Sequence, residues 1–239
     1  MKKTLKKIAN KCGYRISRLS NPSINAFTAM QYLLKEVKEP IIFDVGACYG
    51  YISLAFRKMF PLARIYAFEP FEESFECLKA NTISDELINI FNFGLSNREG
   101  TQSFHSNKRP GTNSLLATHE SSEPWGKGYV ETKEIIQARF NTLDSVIETM
   151  KIPRIDLLKL DVQGAEPLVI EGASEACSRG IIRLIYSEII TQPTYKDQKR
   201  FDEALGSFYN SGFDLYNIYN MDLTREGRLR QVDAIFTKR

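Results

Sequence analysis

Four acids sit where a fold could use them together. Asp44, Glu69, Asp161 and Glu188 each close a short, mostly apolar run: Ile41-Ile42-Phe43, Arg64-Ile65-Tyr66-Ala67-Phe68, Ile155-Asp156-Leu157-Leu158-Lys159-Leu160 and Ile181-Ile182-Arg183-Leu184-Ile185-Tyr186-Ser187. A carboxylate is rarely spent at a core edge without a partner, so four in this register point to one polar crevice. Asp44 is followed by Gly46 and Gly50, a tight turn before a helix-like pattern, which is how a fold presents backbone N–H groups to a polar ligand.

The glycine spacing narrows the ligand. A dinucleotide fingerprint needs glycine at the positions held by Cys48 and Tyr51, and no Gly-Lys-Ser/Thr follows, so both common phosphate cradles are broken. A ligand with an amino-acid head group and a ribose, but no pyrophosphate, matches what remains. Its ammonium would lie near Asp44, its chain against Gly46, Ala47 and Gly50, its ribose hydroxyls on Glu69, and its adenine near Phe71 or Phe68. That ligand is S-adenosylmethionine. The same reading adds Tyr51, Gly94, Leu95 and Asp161 to the cofactor-binding set. Taken singly, Asp44 as a helix cap and Glu69 as a turn acid are the plain alternatives.

The elements that must position these residues alternate. Helical patterns over 26–37, 51–59, 71–78, 164–177 and 197–210 separate apolar runs near 41–45, 64–68, 88–93, 155–161 and 181–186. Such alternation predicts an α/β, three-layer sandwich with a mostly parallel sheet and ligands at the strand carboxyl ends. Residues 213–219 and 230–237 read as a closing antiparallel pair. Between Asn97 and about Trp125 the chain is rich in Ser, Thr, Asn, Gly and Pro, and 129–140 reads as an added strand or hairpin. This insertion of about 97–140 is expected to form the acceptor pocket or lid.

The bulk numbers set limits. The 239 residues carry a net charge of +3, but residues 1–18 hold seven Lys and Arg and no acid, leaving 25 basic and 29 acidic residues elsewhere. That body argues against a nucleic-acid surface. Leu5, Ile8, Cys12, Ile16 and Leu19 give residues 4–19 amphipathic helical spacing. Segment 1–38 is expected to pack on the core as a basic helical cap, with peripheral membrane contact through residues 1–20 as the alternative. Cys12, Cys48, Cys77 and Cys177 show no paired spacing and read as reduced thiols of a cytoplasmic protein.

Asp44-Val45-Gly46-Ala47-Cys48-Tyr49-Gly50, Phe68-Glu69-Pro70, Asn141-Thr142-Leu143-Asp144 and Leu158-Lys159-Leu160-Asp161-Val162-Gln163-Gly164-Ala165-Glu166 together resemble the FkbM family of methyltransferases, in order over roughly residues 40–190. The resemblance implies a seven-stranded Rossmann-like class I methyltransferase domain over 39–239, and an S-adenosylmethionine-dependent O-methyltransferase acting on a hydroxyl of a sugar, glycan or related metabolite. Cys48 stands where the family commonly has Asn, and Gln163 where it often has Glu.

A sugar hydroxyl is a poor acid, so a base or metal is expected beside it. Asp161 is the first candidate and Glu188 the second. A metal through those two acids lacks a clustered third ligand, so none is assigned. His105, His119, Trp125, Glu166 and Tyr195 are the candidate acceptor contacts, with solvated loop histidines and an anchoring tryptophan as the bland alternatives. The competing functions are a methyltransferase for protein or nucleic acid and a non-catalytic module that keeps the cofactor fold.

Overall fold

A computed structural model describes residues 25–120 and 130–239. Residues 1–24 of the basic segment 1–38, and Trp125 in the insertion, lie outside the described residues.

Apolar residues alternate between the two faces of one seven-stranded sheet. Its strands are β1 (Ile41–Val45), β2 (Arg64–Phe68), β3 (Ile88–Phe91), β7 (Leu157–Leu160), β8 (Leu184–Ile190), β9 (Phe213–Leu223) and β10 (Leu229–Lys238), in spatial order 3-2-1-7-8-10-9. β3, β2, β1, β7 and β8 run parallel, and β10 is antiparallel to both its neighbours. On β1 and β7, Phe43, Val45, Leu158 and Leu160 face one core with α4 (Leu143–Met150), α5 (Glu166–Glu171), α6 (Ser174–Ser178) and α7 (Phe201–Asn210). Ile42 and Leu157 face the other, with α1 (Ala26–Leu33), α2 (Tyr51–Met59) and α3 (Glu72–Thr82). The result is the α/β/α sandwich expected from the alternation.

The chain departs from the sequence reading at several places. β3 ends at Phe91, not Phe93, and β8 runs over Leu184–Ile190 instead of 181–186, so Glu188 lies within the strand and not past its carboxyl end. The pattern over 164–177 is two short helices, because α5 stops at Gly172. A Cβ on Gly172 would stand 2.1 Å from the Ser96 carbonyl oxygen, so that close approach fixes both the residue and the break. The insertion holds more structure than its composition suggests. β4 (Gly94–Leu95), β5 (Gly100–Asn107) and β6 (Thr132–Asn141) form a second sheet in the order 4-6-5. Phe104, Ala138 and Phe140 pack from it onto Phe71, ahead of α3. This small sheet caps the carboxyl ends of the main one.

Gly46 is the joint between β1 and the cap side. Its φ is +75°, and a Cβ there would lie 2.0 Å from the Asp161 carbonyl oxygen. The Phe68 carbonyl accepts from both Gly46 N–H (3.1 Å) and Ala47 N–H (3.0 Å), so the turn is fastened to β2 as well. Gly46→Ala should therefore lower unfolding free energy by about 2–4 kcal/mol, through strain and displacement of Asp161. Urea titration of both proteins checks it; a loss below about 1 kcal/mol would show that the turn relaxes.

Candidate active site

The strand ends meet the cap around a cavity of about 600 Å³, counting its open mouth. Val45, Gly46, Cys48, Glu69, Pro70, Asp161, Val162 and Gln163 line it from the main sheet. Gly94, Leu95, Phe104, Asn113 and Leu115 face them from the cap side. Its lining, largely apolar with a few polar groups, has the make-up of a small-molecule site.

Glu69 is the buried acid of this cavity. Its carboxylate accepts Cys48 N–H at 2.8 Å on Oε2 and Phe71 N–H at 2.9 Å on Oε1, so each oxygen retains a lone pair. Burial pushes its carboxyl up to about 7, against the pull of those two N–H donors. Cys48 takes φ +48° to present its N–H, and burial, then Glu69, raises its thiol to about 11. The thiol is therefore a wall and not a nucleophile.

Asp44 does not line the cavity. It is fully buried on the α1–α3 side of the sheet, where Ser53 Oγ donates to Oδ2 at 2.6 Å and Lys159 Nζ stands 2.9 Å from Oδ1. Asp44 and Lys159 are register partners on β1 and β7, which explains their contact. The ammonium that meets Asp44 in this structure is that of Lys159. Lys159 also donates to the Gly46 carbonyl at 2.8 Å and approaches Asp161 Oδ2 at 3.7 Å. Burial alone would depress its pKa, but Asp44 and Asp161 outweigh that and hold it above its ordinary value.

Asp161 and Glu188 are joined by one side chain. Gln163 Nε2 donates to Asp161 Oδ1 at 2.9 Å and to Glu188 Oε2 at 2.8 Å. Asp161 lines the cavity with its side chain 38% exposed, whereas Glu188 stands behind Gln163. Burial first, and Asp161 second, hold the Glu188 carboxyl well above the usual range.

The other sequence candidates take varied places. Gly46, Gly94 and Leu95 line the cavity. Ala47 and Phe71 are buried behind it, Gly50 packs on Leu78, and Tyr51 is 67% exposed at the start of α2. Glu166 is buried and accepts Val162 N–H (2.9 Å) and Gly164 N–H (3.3 Å), tying the loop after β7. Tyr195 is buried as well; its hydroxyl contacts the Thr112 carbonyl (2.8 Å) and Gln163 Oε1 (3.0 Å), so no ring face is left for a sugar to stack on. His105 lies on β5 with its pKa lowered by burial, and His119 N–H donates to the Thr194 carbonyl. Neither histidine lines the cavity. Phe104, Asn113 and Leu115 were missed because the insertion's fold is set by tertiary pairing. No local pattern marks β5, because of its inward residues Gln102, Phe104 and Ser106 only Phe104 is apolar.

The model of the methyltransferase FkbM domain matches residues 44–215, most of the chain. The chain belongs to the FkbM methyltransferase family. It is 28% identical over 174 residues to the 2-O-methyltransferase NoeI of Sinorhizobium fredii (strain NBRC 101917 / NGR234), covering 69% of each chain. It is 30% identical over 193 residues to the methyltransferase sdnD of Sordaria araneosa, covering 66% of this chain and 74% of that one. Among solved structures, the METTL16 methyltransferase domain aligns with a TM-score of 0.51 at 11% identity, over 90% of this chain and 66% of that one. The fibrillarin pre-rRNA processing protein of Methanococcus jannaschii aligns with a TM-score of 0.50 at 10% identity, over 84% and 67%. At those identities the structures share the fold alone.

A buried ion pair, Lys159–Asp44, joins β1 to β7 in this core. Lys159→Met leaves Asp44 charged and unpaired in the interior, and should cost about 3–5 kcal/mol in urea unfolding. Adding Asp44→Asn should return more than half of that loss. A double variant no more stable than Lys159→Met would refute the coupling.

Proposed function

We propose that this methyltransferase uses S-adenosylmethionine to methylate a hydroxyl of a sugar, glycan or related metabolite, with Asp161 as proton acceptor. The observation that carries the reading is the position of Asp161. It lines the same cavity as Glu69 and Gly46, and the Gln163 amide that also bonds Glu188 fixes its carboxylate there.

The residues fit the donor. Glu69 has two free acceptor positions for the paired ribose hydroxyls, and the Gly46 turn brings backbone close to the cavity. Gly94 and Leu95 form an apolar wall suited to adenine. The donor's sulfonium supplies an already activated methyl group. What remains for the chain is alignment, exclusion of water and removal of the hydroxyl proton. The cap excludes water. Asp161 accepts the proton while Gln163 holds its other oxygen toward Glu188. The 2-O-methyltransferase NoeI supports a hydroxyl acceptor of carbohydrate type, and the mildly acidic body supports a small molecule over nucleic acid.

Donor binding tests the first half. Calorimetry should show binding of S-adenosylhomocysteine and none of NAD. A Glu69 carboxyl near 7 in the free protein must ionise to accept two hydroxyls, so binding releases a proton below that pH. Affinity should rise about tenfold from pH 6 to pH 8 and level off above 7. Glu69→Gln should bind weakly at every pH; an unchanged slope in that variant would remove Glu69 from the ribose site.

Turnover tests the second half. Asp161→Asn should reduce kcat at least about a hundredfold while S-adenosylhomocysteine affinity stays within about threefold. Single-turnover methylation of pyranoside acceptors, with radiolabelled donor, measures it. Wild-type turnover in the variant would refute the assignment.

A further inference from the structure

Among the described residues, four buried side-chain polar atoms have no hydrogen-bond partner: Asp44 Oδ1, Ser106 Oγ, Asn107 Oδ1 and Asn113 Nδ2. The first has the Lys159 ammonium beside it. The other three are all in the cap, at the end of β5 and just past the single helical turn at Pro110–Thr112. A buried donor without a partner is costly, and a native structure keeps one where something else pairs with it.

Asn113 is the one of the three that lines the cavity, with only 8% of its surface exposed. Its orientation is settled by its neighbours. Asn113 Oδ1 accepts Asn107 N–H at 2.7 Å, so the oxygen end of the amide is engaged and the NH2 end is the unpaired one. The backbone on both sides is fastened. Tyr195 Oη donates to the Thr112 carbonyl at 2.8 Å, and Asn107 Nδ2 donates to that same carbonyl. Ser114 Oγ donates to the Gln163 carbonyl at 2.8 Å. Asn113 is therefore a fixed hydrogen-bond donor in the wall of the cavity that Glu69 and Gly46 also line, tied through Ser114 to the loop of Gln163.

We propose that Asn113 is a binding residue for the methyl donor: its Nδ2 donates a hydrogen bond to an acceptor atom of bound S-adenosylmethionine, so that the donor site is completed by the cap. This rests on the S-adenosylmethionine reading above. It makes the insertion part of the cofactor site as well as a wall for the acceptor. It also links donor binding to the proton acceptor, since Ser114 and Tyr195 both hold Gln163, the bridge between the two carboxyls.

The test uses S-adenosylhomocysteine and the full chain. Asn113→Asp keeps the oxygen that accepts Asn107 N–H and removes only the free donor; Asn113→Ala removes both. Both variants should bind S-adenosylhomocysteine about ten- to a hundredfold more weakly than wild type. Wild-type affinity in the two variants would overturn the proposal. Failure of the wild-type chain to bind would instead sink the S-adenosylmethionine reading itself. A second measurement needs no variant to fold: the Asn113 side-chain NH2 resonances of the wild-type protein, assigned by triple-resonance NMR, should move downfield on saturation with S-adenosylhomocysteine. Unmoved resonances would overturn the proposal as well.

Discussion

A buried ammonium organises the strand ends of this protein. Lys159 projects from β7 into the interior, where it meets Asp44 on β1 and the carbonyls of Val45 and Gly46. An ion pair at such depth contributes little net stability, because removing both charges from water is so unfavourable. Its effect is specificity of register. A slip of β7 against β1 by one residue would turn Lys159 onto the face packed by α4–α7 and leave Asp44 alone on the other. The same ammonium holds the Gly46 carbonyl while Gly46 lies against the Asp161 carbonyl. The glycine turn and the loop bearing Asp161 are thus located by one charge.

From that fixed edge the site is built outward by hydrogen bonds to backbone. Glu69 gathers the N–H groups of Cys48 and Phe71, and Glu166 gathers those of Val162 and Gly164. Gln163, in the left-handed region at φ +56°, points its amide at Asp161 and Glu188. Its carbonyl and side-chain oxygen are then taken by Ser114 and Tyr195. Gln163 joins three parts of the chain that are far apart in sequence: the β7 loop, the cap turn and the segment after β8.

The legibility of these parts in the sequence follows from the range of the interactions that set them. Strand-end acids and the Gly46 turn are read from local pattern, and Glu69, Asp161, Gly46, Gly94 and Leu95 do line the cavity. Asp44 shows the limit. Its position at a strand end was plain, but its partner comes from register with a residue 115 positions later, which no local pattern shows. Tyr195 was visible as an aromatic near the acids, while its burial against Leu116 and Val130 depends on how the insertion folds back. The insertion's polar composition concealed β5, whose inward face carries Gln102 and Ser106 beside Phe104 and so lacks the apolar alternation of a core strand. The break at Gly172 is likewise set by the Ser96 carbonyl and not by helix propensity.

Glu69 and Glu166 show how the same physics yields different roles. Both are buried, both accept two backbone N–H groups, and burial pushes both carboxyls up to about 7. In each case the folded chain holds its proton more tightly than the unfolded chain, so each group favours folding most below its unfolded value. That contribution is lost as pH rises through about 7. Glu166 has this cost on ionising and faces no cavity wall of the central site, so its bonds serve the loop. Glu69 has the same cost and opens onto the cavity, the side from which the proposed donor's hydroxyls would stabilise the ionised form. What separates the two carboxyls is where they stand: Glu69 lines the central cavity beside the Gly46 turn, and Glu166 is enclosed by the loop it ties.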